Sequence, residues 1–222
     1  MIIKVCGLRE ADNIREVAAL GVDWIGMIFW PKSPRYVSML PIRAGILPDE
    51  APLSPFTSLL TPKKVGVFVN PTAQDVITRV VSCGLDIVQL HGHESPTFIR
   101  NLRRTLGDGV KMMKAISVAG TDDVTTYKSY ADSVDYFLFD TKCKTMGGSG
   151  EQFDWNVLQA YDGDVPFLLS GGIGPDDAKR VEAFCHEQCI GIDLNSRFET
   201  APGVKDVAML SQFINNLKQP SK

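Results

Sequence analysis

Long hydrophobic runs are absent from this chain. No apolar stretch approaches the roughly 20 residues that a helix needs to cross a bilayer, so neither a membrane span nor a membrane partner is expected. An excess of basic charge is absent too. The formal net charge is -3, and without a basic field nucleic acid is not an expected partner. The basic cluster Arg100 to Arg104 reads as the solvated face of a helix. Histidine is scarce, with three in 222 residues. A metal centre needs several ligands at matching spacing, and Cys185 and Cys189 with His186 between them do not supply them, so no metal site is expected. Cysteine is sparse and odd in number, at 6, 83, 143, 185 and 189. That pattern suits reduced thiols better than a disulfide framework. The chain starts on Met1-Ile2-Ile3-Lys4-Val5-Cys6 with no basic n-region or cleavage site, and a cytoplasmic protein is the expectation.

What is present is a regular alternation. Short apolar runs at Ile2–Val5, Trp24–Phe29, Lys64–Val69, Asp86–Leu90, Val110–Ile116, Tyr136–Phe139, Phe167–Leu169 and Ile190–Leu194 read as eight strands. Helical patterns fall between them, at 9–20, from Thr72 to Cys83, Pro96–Leu106, Asp122–Tyr130, Phe153–Tyr161, 175–187 and Val204–Leu217, with another starting near Ser38. Continuous apolar strands are expected where helices cover both faces of a parallel sheet. Eight such units predict an α/β fold, a (β/α)8 barrel formed by a single domain over residues 1–222. An open doubly wound sheet is the other arrangement that strand–helix alternation allows. The proline-rich stretch 48–62 breaks the pattern as an irregular excursion, with no role legible in it.

In a barrel the chemistry sits at the C-terminal ends of the strands. Those ends carry Cys6-Gly7, Arg35, Gln89 to His91, Asp140-Thr141, Ser170 to Gly172 and Asn195-Ser196. The run Leu168-Leu169-Ser170-Gly171-Gly172-Ile173-Gly174-Pro175-Asp176-Asp177 reads as strand, glycine turn and helix start. Glycines let backbone N–H groups approach a ligand closely, and a helix N-terminus favours an anion. Strands seven and eight are also where this fold most often holds phosphate, so Gly171, Gly172, Asn195 and Ser196 are candidate phosphate-binding residues. Lys4 shares the parity of Cys6 and should face inward, where a buried lysine needs an anion such as Asp193. His91 reads as a supporting or simply satisfied residue. The glycine-rich loop Thr141–Gly150 is either a lid or an ordinary loop.

Several motifs in this order resemble one family. They are Lys4-Val5-Cys6-Gly7-Leu8, Ser33-Pro34-Arg35, Val88-Gln89-Leu90-His91-Gly92 and Phe139-Asp140-Thr141. Gly147-Gly148-Ser149-Gly150, Phe153-Asp154-Trp155, Ser170-Gly171-Gly172-Ile173 and Gly191-Ile192-Asp193-Leu194-Asn195-Ser196 complete the set. Together they are similar to the phosphoribosylanthranilate isomerases of tryptophan biosynthesis. The resemblance implies an isomerase that acts on a small phosphosugar–anthranilate substrate by an Amadori rearrangement, with no cofactor and no metal. It implies Asp140 as general acid, Cys6 as general base and Arg35 as the group that grips the anthranilate carboxylate.

Without the resemblance each residue has a plainer reading: Cys6 a small core residue, Asp140 a cap or a loop hydrogen bond, Arg35 an exposed loop arginine. Where the family usually has glycine after Asn195-Ser196, this chain has Arg197. A monomer and a homodimer are both compatible with the sequence. The competing readings are a metal-dependent epimerase, an indole-glycerol-phosphate synthase, or a barrel kept for interaction or phosphate sensing.

Overall fold

The computed structural model describes residues 1–38, 61–141 and 154–218. In chain order the elements are β1 (Ile2–Val5), α1 (Ala11–Ala19), β2 (Trp24–Ile28), β3 (Lys63–Phe68), α2 (Ala73–Cys83), β4 (Ile87–Leu90), α3 (Pro96–Leu106) and β5 (Lys111–Val118). They continue with α4 (Thr121–Val124), β6 (Tyr136–Thr141), β7 (Phe167–Leu169), α5 (Ala178–Ala183), β8 (Cys189–Leu194), β9 (Glu199–Ala201), β10 (Val204–Lys205) and α6 (Val207–Lys218). The start of a helix near Ser38, most of the excursion 48–62, and the loop residues 142–150 with Phe153 lie outside the described residues.

Strands β1 to β8 form a closed parallel barrel. The open-sheet alternative fails at one seam: β1 pairs with β8, Ile2 opposite Gly191 and Lys4 opposite Asp193. That seam depends on a missing side chain. A Cβ on Gly191 would lie 2.2 Å from the backbone oxygen of Ile2. Gly191→Ala should therefore cost about 2–3 kcal/mol or more of unfolding free energy, because backbone cannot yield as a side chain can. A denaturant midpoint equal to that of the native chain would contradict this.

Side chains alternate across each strand, so one set fills the barrel and the other meets the helices. Inside are Trp24, Val65, Ile87, Met113, Ala115, Leu138 and Leu168. A larger cluster, with Val5, Ile25, Val88, Met112, Phe137, Phe139 and Ile192, joins the strands to α1, α2, α3 and α6. The outer helices begin as local chemistry dictates. Thr72 and Asp75 form a capping box at α2, and Gly84 ends that helix in the left-handed conformation. Ser95 caps α3 ahead of Pro96.

Several predicted helices are corrected. Residues 122–130 divide into short α4 and a 3-10 segment Thr125–Ser129, and the helix within 153–161 is a 3-10 segment, Trp155–Ala160. The helix of 175–187 shrinks to a 3-10 turn Pro175–Asp177 followed by α5. Val204 does not begin the last helix. It pairs with Ala201 in an antiparallel hairpin, and α6 starts at Val207. Pro202-Gly203 between the two strands is a turn-forming dipeptide, and it was the sequence signal for that hairpin.

Candidate active site

Inward parity carries one polar column up each of several strands. Lys4 and Cys6 stand over β1. Gln89 and His91 follow Ile87, Asp140 follows Leu138, Ser170 follows Leu168, and Asp193 faces Lys4 from β8. Apolar residues close the barrel below, and these groups form its mouth.

Cys6 is buried, and its N–H donates to the Leu194 carbonyl at 2.8 Å. Lys4 is fully buried two residues earlier and makes an ion pair with Asp193, Nζ to Oδ2 2.9 Å. Burial works to lower Lys4, but the Asp193 carboxylate and the Cys6 thiol outweigh it and hold the ammonium above its usual range. Burial pushes the Cys6 thiol up; the Lys4 ammonium beside it and the Lys205 ammonium oppose that shift without cancelling it.

Asp140 lies near the end of β6, only partly exposed. Its Oδ1 accepts from the Thr141 N–H at 2.9 Å and from the Ser170 hydroxyl at 3.3 Å. Its Oδ2 lies 3.4 Å from His91 Nε2. Gln89 Nε2 lies 3.1 Å from His91 Nδ1. Which of these two nitrogens donates follows the tautomer of the His91 ring, and the other ring nitrogen, Nε2, faces Asp140. The run Phe137-Leu138-Phe139 suggests an apolar setting for Asp140, but its contacts are polar. Parity explains the difference: Phe137 and Phe139 point outward into the helix layer, and Asp140 points into the mouth.

Arg35 departs from the plainer of its two readings. It is not an exposed loop arginine; only 7% of it is accessible. Its Nε donates to Glu199 Oε1 and Oε2 at 2.9 and 3.1 Å, and its Nη2 donates to Oε2 at 2.7 Å. Glu199 stands on β9, and Lys205 on β10 reaches the same carboxylate, Nζ to Oε1 2.7 Å. Lys205 Nζ also donates to the Asn195 carbonyl and side-chain oxygens at 3.1 and 2.8 Å. Neither Glu199 nor Lys205 stood out in the sequence.

The glycine turn after β7 uses the conformational freedom that glycine alone has. Gly171 and Gly172 have φ values of 93° and 66°. A Cβ on Gly171 would fall 2.2 Å from Thr141 Oγ1, so only glycine lets this turn close against the end of β6. The helix-end part of the expectation is not met. The Gly174 N–H donates to Asp177 Oδ2 at 2.7 Å, and α5 has only six residues. The side chain of Arg197 packs on this turn, its Cδ 2.9 Å from where a Gly174 Cβ would stand. Asn195 and Ser196 follow β8 on the same rim. Among the described residues no group of three or more His, Cys, Asp or Glu side chains is placed to hold a metal ion. No described helix is long and apolar enough to cross a membrane.

The closed barrel, with a thiol, a carboxylic group and a buried guanidinium gathered at the C-terminal ends of its strands, defines a (β/α)8-barrel protein. Comparison with known proteins makes this particular. The family model for N-(5'phosphoribosyl)anthranilate (PRA) isomerase matches residues 3–216, and the chain belongs to that family. It is 46% identical over 221 residues to N-(5'-phosphoribosyl)anthranilate isomerase of Parabacteroides distasonis, covering 100% of this chain and 95% of that one. Among solved structures it is similar to phosphoribosyl anthranilate isomerase from Thermus thermophilus, with a TM-score of 0.79 and 27% identity over 98% of each chain. A further phosphoribosyl anthranilate isomerase structure, in complex with reduced 1-(o-carboxyphenylamino)-1-deoxyribulose 5-phosphate, matches with a TM-score of 0.74 at 26% identity over 98% of this chain and 99% of that one.

Proposed function

We propose that this chain converts N-(5-phosphoribosyl)anthranilate to 1-(2-carboxyphenylamino)-1-deoxyribulose 5-phosphate by acid/base catalysis, a step of tryptophan biosynthesis. Membership of the isomerase family supports the reaction. The observation that carries the residue roles is that Cys6, Asp140 and Arg35 ring one barrel mouth, beside the glycine turn after β7.

The rearrangement sets two proton problems. The ribose ring opens when its ring oxygen receives a proton, and a proton then leaves C2 of the resulting imine. Asp140 is the acid of the first step. His91, 3.4 Å away and partly exposed, links that carboxyl to solvent protons. Cys6 is the base of the second step, as the thiolate, with Lys4 as the adjacent positive charge. The backbone around Gly171, Gly172, Asn195 and Ser196 holds the phosphate, and Arg35 takes the anthranilate carboxylate at the other end. The ligand is then fixed at both ends with its sugar between acid and base. In this reading residues 1–222 act as one cytoplasmic domain on a small-molecule substrate.

Consumption of phosphoribosylanthranilate followed by fluorescence tests the activity directly. Turnover that survives EDTA fits this reading; loss of turnover in EDTA would point to a metal-dependent epimerase, and no turnover at all to a non-enzymatic barrel. Arg35→Met should raise KM by about tenfold or more, the scale of a lost charge-assisted bidentate contact. An unchanged KM would remove Arg35 from carboxylate binding.

A further inference from the structure

The Arg35–Glu199–Lys205 cluster is built more elaborately than carboxylate binding by one arginine demands. The Glu199 side chain is 5% exposed and that of Lys205 is 0% exposed. Burial acts to raise the Glu199 carboxyl, but the Arg35 and Lys205 cations outweigh it and hold it below the usual range, so it is ionised. Two cations and one anion leave the cluster with one positive charge in excess. A buried excess charge is costly unless something pairs with it. One substrate carboxylate would bring the cluster to neutrality.

The hydrogen-bond geometry shows where that carboxylate fits. A guanidinium carries five N–H donors in a planar fork. Glu199 occupies the side-on edge, Nε together with one hydrogen of Nη2. The end-on edge, Nη1 with the second hydrogen of Nη2, has no acceptor among the described residues and matches a second carboxylate bidentately. Glu199 is itself held in place. Besides Arg35 and Lys205 it accepts from the Gly203 N–H at 3.2 Å. Lys205 is anchored by Asn13, which accepts its N–H at 2.7 Å and donates to its carbonyl at 2.9 Å.

We propose that Glu199 is a positioning residue that clamps one edge of the Arg35 guanidinium and so presents the other edge to the carboxylate of the substrate. The proposal rests on the assignment of Arg35 to that carboxylate. Through Lys205 and Asn195 the same clamp ties the carboxylate end of the site to the loop after β8, the proposed phosphate end.

Steady-state kinetics on Arg35→Met, Glu199→Gln, their double variant, and Glu199→Gln/Lys205→Met test it. Glu199→Gln should raise KM by about tenfold with kcat changed by no more than about threefold, because binding geometry is lost rather than a proton-transfer group. In the Arg35→Met background the same substitution should add nothing. Glu199→Gln/Lys205→Met removes one anion and one cation, keeps the net charge of the cluster, and should still show the raised KM; it also serves if the single variant folds poorly. If Arg35→Met raises KM but both Glu199 variants bind substrate natively or more tightly, the clamp is wrong and the role of Arg35 stands. An additive effect in the double variant would also overturn the clamp. If Arg35→Met leaves KM unchanged, the role of Arg35 fails and the clamp fails with it.

Discussion

Cys6→Ala should lower turnover by roughly a hundredfold or more while KM for phosphoribosylanthranilate stays near the native value, since a general base lost from the chemical step contributes little to ground-state binding. The substitution removes one sulfur atom from a strand end. The neighbouring Lys4 keeps its Asp193 partner at 2.9 Å, so the fold should survive and the loss should read as chemistry. The pH profile separates a base from a packing residue. Burial moves the Cys6 thiol upward, so little of it is thiolate at neutral pH and the fraction grows as pH rises toward that raised value. The kcat/KM of the native chain should therefore climb on the alkaline side of neutral, and Cys6→Ala should lose that limb. Native turnover in the purified variant would remove Cys6 from proton transfer.

Asp140→Asn should also cost roughly a hundredfold or more in turnover, because an amide cannot deliver the proton that opens the ring. Asparagine is close in shape, and its carbonyl oxygen can still accept from the Thr141 N–H and the Ser170 hydroxyl, which Asp140 holds at 2.9 and 3.3 Å. The melting temperature should thus move little. The variant also tests His91, whose Nε2 faces Asp140. If His91 were the true acid, Asp140→Asn would keep most of its turnover while a His91 variant lost it.

The barrel was legible because its signal is local. Buried parallel strands read as apolar runs, and the caps at Thr72 and Ser95 and the stop at Gly84 mark helix boundaries with chemistry contained in a few residues. Cys6, Asp140, Ser170 and Asn195 could be found because strand ends and inward parity follow from the same runs. The helices after β5 and β7 were overestimated: a helical period does not say how many turns the barrel leaves room for. The β9–β10 hairpin was missed because Val204 also fits the helical pattern of the residues after it.

By itself the sequence determined the strand–helix order, the barrel class, and the set of reactive side chains at one rim, because each depends on neighbours within a turn or a strand. Only the tertiary structure decided that burial outweighs the neighbouring Lys4 and Lys205 ammonium groups and pushes the Cys6 thiol up. It also decided that Arg35 is a buried group clamped by a glutamate 164 positions away. Those facts are set by burial and by charges meeting across the barrel. Neither the free energy of an ion pair nor the accessibility of an arginine is encoded in the residues beside it in the chain.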